Sequence, residues 1–176
     1  MPYNSSNVAD FTEKSLLQQV VERLAAHGVE FIVIGGQAEN LFGSPRVTYD
    51  VDICYRRTTG NLQRLAEALR ELKPTLRGAP PDLPFQLDAR ALALATYFTF
   101  DTIHGPLDLR PYIEPLGGYD DLLPNAESYS LDKLTVQTIS LPDLIRVKEH
   151  IRRPKDRDSL FQLQAIKRLR EETGKR

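Results

Sequence analysis

The stretch that decides the fold is Phe31-Ile-Val-Ile-Gly-Gly-Gln-Ala38, followed by Gly43-Ser-Pro-Arg-Val-Thr-Tyr-Asp50-Val-Asp52-Ile-Cys-Tyr55. It reads as a buried strand, a Gly-Gly break, a short helix, a turn and a second strand carrying two carboxylates. Alternate side chains of a strand share a face. Asp50 and Asp52 therefore point the same way, about 6.6 Å apart at ~3.3 Å per residue, while Val51 and Ile53 take the other face. Two acids aimed at one spot from an apolar strand repel each other unless a cation lies between them. Mg²⁺ takes oxygen ligands and is usually held by one or two carboxylates plus substrate phosphates. The stretch is expected to be a metal and nucleotide-phosphate site. The competing reading is an exposed edge strand with solvated acids. Val47, Val51 and Ile53 argue against it by giving the strand a buried face.

The rest of the chain sets the frame. At 176 residues, 41% hydrophobic and 27% charged, it has the size and composition of one globular domain, with or without a helical appendage. A net charge of −1 gives no bulk case for nucleic-acid binding, though a local basic patch is compatible with it. Cys54 is the one cysteine, so no internal disulfide forms, which fits a reducing compartment. Met1-Pro-Tyr-Asn-Ser-Ser lacks the basic start and apolar run of a signal peptide, and no apolar run reaches the ~20 residues that span a bilayer. A cytoplasmic location is expected.

Residues 1–10 read as a polar tail. Leu17, Val20, Val21 and Leu24 predict an amphipathic helix over 14–27, stopped at Gly28. Val29–Ile34 is the first strand and Gln37–Phe42 a short helix. Val47–Tyr55 is the second strand. A helix follows from about Thr58, with Thr59 or Asn61 as its cap and Leu62, Leu65, Ala66, Leu69 and Leu72 as its stripe. Residues 77–84 read as a loop, and 85–95 as either a short helix or a strand edge. Tyr97–Phe100 and Leu107–Ile113 form a hairpin about His104-Gly105-Pro106. A long loop runs from Gly117 to Ser130, a short strand covers Val136–Ile139, and two helices span about 141–152 and 156–171. The fold class is α/β (α+β): a small mixed β-sheet flanked by helices, with C-terminal helices. The expected division is a core over 1–115 and a loop and helical part over 116–176 packing on it.

Gly35-Gly36, after a strand and before a helix, lets backbone N–H groups approach an anion. The spacing matches neither a dinucleotide fingerprint nor a Walker loop. Asp108 stands between Leu107 and Leu109 on the returning hairpin arm, with Asp101 and Glu114 as rival acids. Arg46 precedes the acids and is placed either to meet phosphate charge or to pair at the surface. Leu141, Leu144, Ile145, Lys148 and Ile151 share one helical stripe. Lys148 must then pair with an acid, reach a site, or snorkel at the stripe's edge. His104 and His150 have no metal-ligand spacing.

Taken together, Gly35-Gly36-Gln37, Asp50-Val-Asp52 and Leu107-Asp108-Leu109 resemble the nucleotidyltransferase superfamily of the DNA polymerase β type, over residues 14 to 113. The resemblance implies that Asp50, Asp52 and Asp108 hold two Mg²⁺ ions, roughly 3.5–4 Å apart, for in-line transfer, with Asp108 as the base. It implies that Gly35, Gly36 and the side chain at 37 cradle the phosphates of an NTP. Gln37 replaces the serine common there. Lys148, the basic run through Arg157 and Asp156-x-Asp158 resemble the third motif of AbiEii-type nucleotidyltransferases, which include toxins of toxin–antitoxin systems. That carry-over reaches Lys148, for nucleotide phosphates, and Asp158, and more weakly Asp156.

The implied activity is Mg²⁺-dependent transfer of an NMP from an NTP to a hydroxyl acceptor. The basic residues Arg146, Lys148, Arg152, Arg153, Lys155 and Arg157 suggest tRNA or another macromolecule as acceptor, with an antitoxin or toxin protein as partner. The rivals are a small-molecule, antibiotic-type nucleotidyltransferase and a non-catalytic module of the same fold that binds a partner.

Overall fold

The computed structural model describes residues 14–80 and 82–174. The polar tail expected at 1–10 lies outside them, as does Pro81 of the 77–84 loop. Helix α1 (Leu16–Ala26) begins with a reciprocal cap. The Ser15 hydroxyl accepts from the Gln18 amide, and the Gln18 side chain accepts from the Ser15 amide. Its stripe, Leu17, Val20, Val21 and Leu24, is buried. Strand β1 (Phe31–Ile34) is buried at all four positions and leads into α2 (Gly35–Leu41). The two glycines are therefore the first residues of the helix rather than a break before it. Gly35 has φ +64°, a left-handed value that disfavours side chains, and it makes the sharp strand-to-helix turn.

Strand β2 covers Val51–Tyr55, not Val47–Tyr55. Residues 44–50 have no ladder partners, but their exposure alternates: Val47 and Tyr49 are exposed, while Arg46, Thr48 and Asp50 are half-buried. Val47, expected on a buried face, is 71% exposed. Helix α3 (Thr59–Glu71) buries its expected stripe. Its N-cap is Thr58, and Asn61, expected as a cap, instead bridges the backbone of Glu30 and Arg56.

A two-residue strand β3 (Thr75–Leu76) precedes α4 (Ala89–Leu94), which settles the ambiguity over 85–95 as a helix. Then come β4 (Phe98–Thr102), β5 (Gly105–Arg110), β6 (Tyr112–Ile113), β7 (Gly117–Gly118) and α5 (Tyr119–Leu122). The expected loop to Ser130 is largely structured. It holds β7, α5 and most of β8 (Glu127–Leu131), which pairs with β9 (Leu134–Thr138). Helices α6 (Leu141–Ile151) and α7 (Arg157–Glu172) close the chain and pack together.

The fold is a mixed α/β layer structure. Seven strands form one sheet in the order β3-β4-β5-β2-β1-β9-β8. β2 runs antiparallel to β1 and parallel to β5, and β9 runs parallel to β1. Val33, Ile53, Leu107 and Leu109 at its centre are fully buried with Leu24, Leu65 and Leu69 of the helices. Burying each such side chain contributes about 1.5–3 kcal/mol. No helix among the described residues is long and apolar enough to cross a membrane.

Candidate active site

The parallel pairing of β2 with β5 aligns Asp52 with Asp108, so two acids from distant parts of the chain stand side by side on neighbouring strands. Asp50, two residues before Asp52, keeps the alternation and points the same way although it precedes the ladder. Ligand oxygens of Asp50, Asp52 and Asp108 lie within 4.8 Å of one another, the one such cluster among the described residues. The Thr48 hydroxyl donates to Asp50 Oδ1 at 3.0 Å and fixes its rotamer.

Two arginines, Arg77 beside Asp108 and Arg110 beside Asp52, relieve this acidic wall only in part. The Asp52 carboxyl is pushed up to about 6, first by burial and then by the charges of Asp50 and Asp108, against a weaker pull from Arg110. Arg110 Nε stands 3.7 Å from Asp52 Oδ1. Burial likewise raises the Asp108 carboxyl, opposed chiefly by the charge of Arg77. A hard divalent cation fits this donor set. Three convergent carboxylates offer only oxygen ligands, and their repulsion is what a cation removes.

The two glycines are required by close approach. A Cβ on Gly35 would lie 2.5 Å from Asp52 Oδ2, and one on Gly36 would lie 2.6 Å from Thr48 Oγ1. The backbone of the first turn of α2 thus lies against the acidic wall. Its N-cap, Ile34, provides no side-chain acceptor, which leaves the leading N–H groups of the helix for a ligand.

The facing wall is basic but internally matched. Lys148 of α6 is buried, with Nζ 2.7 Å from Glu39 Oε1 and 3.1 Å from Asp156 Oδ1. Arg46 Nη1 contacts the same two carboxylates at 3.1 and 3.4 Å. Arg153 Nε donates to Asp156 Oδ2 at 2.7 Å, and the Ser159 hydroxyl donates to Glu39. Burial acts to raise the Asp156 carboxyl, but Arg153 and Lys148 outweigh it and hold it below the usual carboxylate range. Two buried acids thus hold three cations in place.

Between the walls lies a cleft of about 770 Å³. Gly35, Gly36, Arg46, Asp50, Asp52, Asp108 and Lys148 all line it. Two of the residues assigned to catalysis or nucleotide binding from the sequence do not, nor do Arg146, Arg152 and Arg157 of the basic run. The Gln37 side chain donates to the Asp50 carbonyl at 3.2 Å, anchoring the backbone before β2. Asp158 is exposed and borders a separate, smaller depression beside Pro45 and Gln162, while Asp156 takes the position in the cleft. Sequence reasoning missed Thr48, Glu39 and Arg110. Thr48 had a signal, since Arg46-x-Thr48-x-Asp50-x-Asp52 alternates polar residues toward one side. Glu39 had none, because its Ser159 partner lies 120 positions away. The lining also includes three exposed apolar side chains, Leu94, Tyr112 and Ile151, with Leu94 75% exposed.

No protein-family model matches the chain, and no curated protein matches it. Solved structures do. TM1012 of Thermotoga maritima, whose own nucleotidyltransferase assignment is provisional, aligns over 92% of both chains at 14% identity and TM-score 0.52. The lincosamide antibiotic adenylyltransferase LnuA, solved with lincomycin bound, aligns over 86% of this chain and 96% of its own at 15% identity and TM-score 0.57. At these identities the likeness establishes the fold, which is that of the nucleotidyltransferases.

Proposed function

We propose that the chain is a Mg²⁺-dependent nucleotidyltransferase that moves an NMP from an NTP to a hydroxyl acceptor and releases pyrophosphate. The observation that carries this reading is the register of β2 against β5, which sets Asp52 beside Asp108 with Asp50 in reach, opposite a basic wall. Asp50, Asp52 and Asp108 would hold the metal. Bound there, Mg²⁺ supplies charge neutralisation for the triphosphate and lowers the pKa of the acceptor hydroxyl. The open N–H groups at Gly35 and Gly36 and the exposed parts of Arg46 and Arg153 would receive phosphate oxygens, with Lys148 behind them. Asp108 would take the acceptor proton at Oδ2; the burial of Oδ1 supports that choice of oxygen.

The acceptor enters from the side of Asp108. The exposed apolar side chains Leu94, Tyr112 and Ile151 in the cleft lining favour a small molecule with an apolar face, the class that LnuA's bound lincomycin exemplifies. A tRNA acceptor and a toxin–antitoxin role form the second reading, supported by Arg153 and Lys155 at the cleft. Against it, Arg146 is paired with Asp143, and Arg152 donates to the Glu149 carbonyl. The test is incubation with Mg²⁺ and α-labelled NTPs, adding either total tRNA or a small-molecule cell extract. Label should enter the small-molecule fraction, require Mg²⁺ and be lost in Asp50→Asn. Label in tRNA would select the second reading. No transfer in either fraction would leave a non-catalytic, partner-binding domain.

A further inference from the structure

We propose that Arg77 is a positioning residue for Asp108, acting from outside the cleft; the inference rests on the nucleotidyl-transfer reading of the acidic wall. Arg77 follows the edge strand β3, and its backbone N–H donates to the Thr99 carbonyl of β4 at 2.9 Å. Thr99 is in register with Asp108 of β5. Strands lie about 4.8 Å apart, so Arg77 stands roughly two strand spacings from Asp108, and only a long side chain crosses that gap.

The Arg77 side chain is held along its whole length. Nε donates to Asp101 Oδ1 at 3.1 Å, and Nη2 donates to the Phe100 carbonyl at 2.8 Å. Nη2 then stands 3.1 Å from Asp108 Oδ1, close enough for a charged contact but off the axis of a hydrogen bond, so Oδ1 has no hydrogen-bond partner. Among the described residues no other basic group lies within 4 Å of Asp108. Arg77 is not among the residues lining the cleft, whereas Asp108 is. The guanidinium therefore faces the inaccessible Oδ1 and leaves Oδ2 for the cleft.

A carboxylate set between Leu107 and Leu109, beside two other acids, lowers its energy by turning away from them. A guanidinium itself held by Asp101 and the Phe100 carbonyl pins Oδ1, limits rotation of the carboxylate and so keeps Oδ2 toward the cleft. This is the work of an outer partner that orients a ligand, and losing such a partner typically costs about 10–100-fold in metal affinity. A lysine at 77 would keep the charge but not the fork that also ties Asp101 and Phe100.

The test is titration with Mn²⁺, free ion read by electron paramagnetic resonance and no nucleotide present, on the wild type, Arg77→Met, Arg77→Lys, Asp108→Asn and the Arg77→Met/Asp108→Asn pair. Arg77→Met should bind Mn²⁺ about 10–100-fold more weakly and Arg77→Lys at an intermediate affinity. The double variant should match Asp108→Asn within about twofold, because Arg77 acts through that one carboxylate. Arg77→Met binding as tightly as the wild type would overturn the proposal. So would an equal loss in the Asp108→Asn background, which would mark general damage to the β3–β4 edge. If Arg77→Met does not fold, the same cycle with Arg77→Lys decides. A wild type that binds no Mn²⁺ sinks the transfer reading itself, a pattern distinct from equal binding by wild type and variant.

Discussion

The two walls of the cleft handle buried charge in opposite ways. On the acidic wall, Asp50, Asp52 and Asp108 converge with Arg77 and Arg110 as their only countercharges within 4 Å among the described residues, and the Asp52 carboxyl rises to about 6. On the basic wall, Glu39 and Asp156 are as deeply buried, yet each is held by cations, and the Asp156 carboxyl falls below its usual range. Burial raises the carboxyl on both walls; on Asp156 the hydrogen bonds and charges of Arg153 and Lys148 outweigh it, whereas on Asp52 the neighbouring acids add to it and Arg110 does not offset the sum. The basic wall is complete as folded and holds its shape. The acidic wall stores repulsion that an incoming cation relieves.

The largest expected effect breaks the acidic wall's function and spares its stability. Asp52→Asn should cut nucleotidyl transfer by at least about a hundredfold, since metal charge stabilisation is worth several kcal/mol and each 1.36 kcal/mol is tenfold. In metal-free buffer at pH 7.5 the same variant should melt no lower than the wild type, because it removes a repulsive charge. Kinetics and a thermal melt on one preparation check both halves.

The matched wall should respond the other way. Asp156→Ala removes one of the two carboxylates that hold buried Lys148 and should cost about 1.5–3 kcal/mol in denaturant unfolding. Glu39→Ala removes the other carboxylate on Lys148 and belongs to the same range. A loss below about 1 kcal/mol in either would show that the network is not the scaffold described here.

Acid titration separates the walls without mutation. The folded Asp52 carboxyl lies above its ordinary 3.8, so the folded state binds the proton more tightly. Its contribution to stability is full below pH 3.8 and is lost as pH rises through about 6, an effect of about 3 kcal/mol in metal-free protein. Asp156, held low, contributes above its ordinary value and loses that contribution as pH falls through its folded one. Unfolding curves in chelator should show the Asp52 component. Asp52→Asn should remove it, and Mg²⁺ should suppress it.

The smallest effects fall on the two residues assigned to nucleotide binding that miss the cleft. Gln37→Ala should cost about 1 kcal/mol through its hydrogen bond to the Asp50 carbonyl. Asp158→Ala should stay within about 0.5 kcal/mol and leave the KM for NTP unchanged. A large KM change there would move the nucleotide into the depression by Gln162 and redraw the comparison.

What the sequence made legible was local. Gly35-Gly36 and Asp50-x-Asp52 carry their meaning in spacing, and the Lys148 stripe in helical period. Asp108 joins them only through the motif order of the superfamily that the sequence resembles, since nothing in Leu107-Asp108-Leu109 names β2 as its neighbour. Strand β8 was hidden because Glu-Ser-Tyr-Ser-Leu is half-exposed and polar and lacks a β-branched run. The choice between Asp156 and Asp158 turns on a single 3₁₀ turn at Pro154–Asp156, which rotates the first acid into the cleft and the second out of it. Glu39 and Arg77 were illegible because their roles exist only after distant segments meet.

The central claim is that the acidic wall is a cation and nucleotide-triphosphate site. The direct measurement is the melting midpoint of wild type and Asp52→Asn at pH 7.5, with Mg²⁺ alone, each NTP alone and the two combined. A ligand at 100 times its Kd stabilises by about 2.7 kcal/mol, or about 5–10 °C for a chain of this size. The account predicts a rise of that order in the wild type with at least one Mg²⁺–NTP pair, and none in Asp52→Asn. No rise with any pair, or an equal rise in Asp52→Asn, would contradict it.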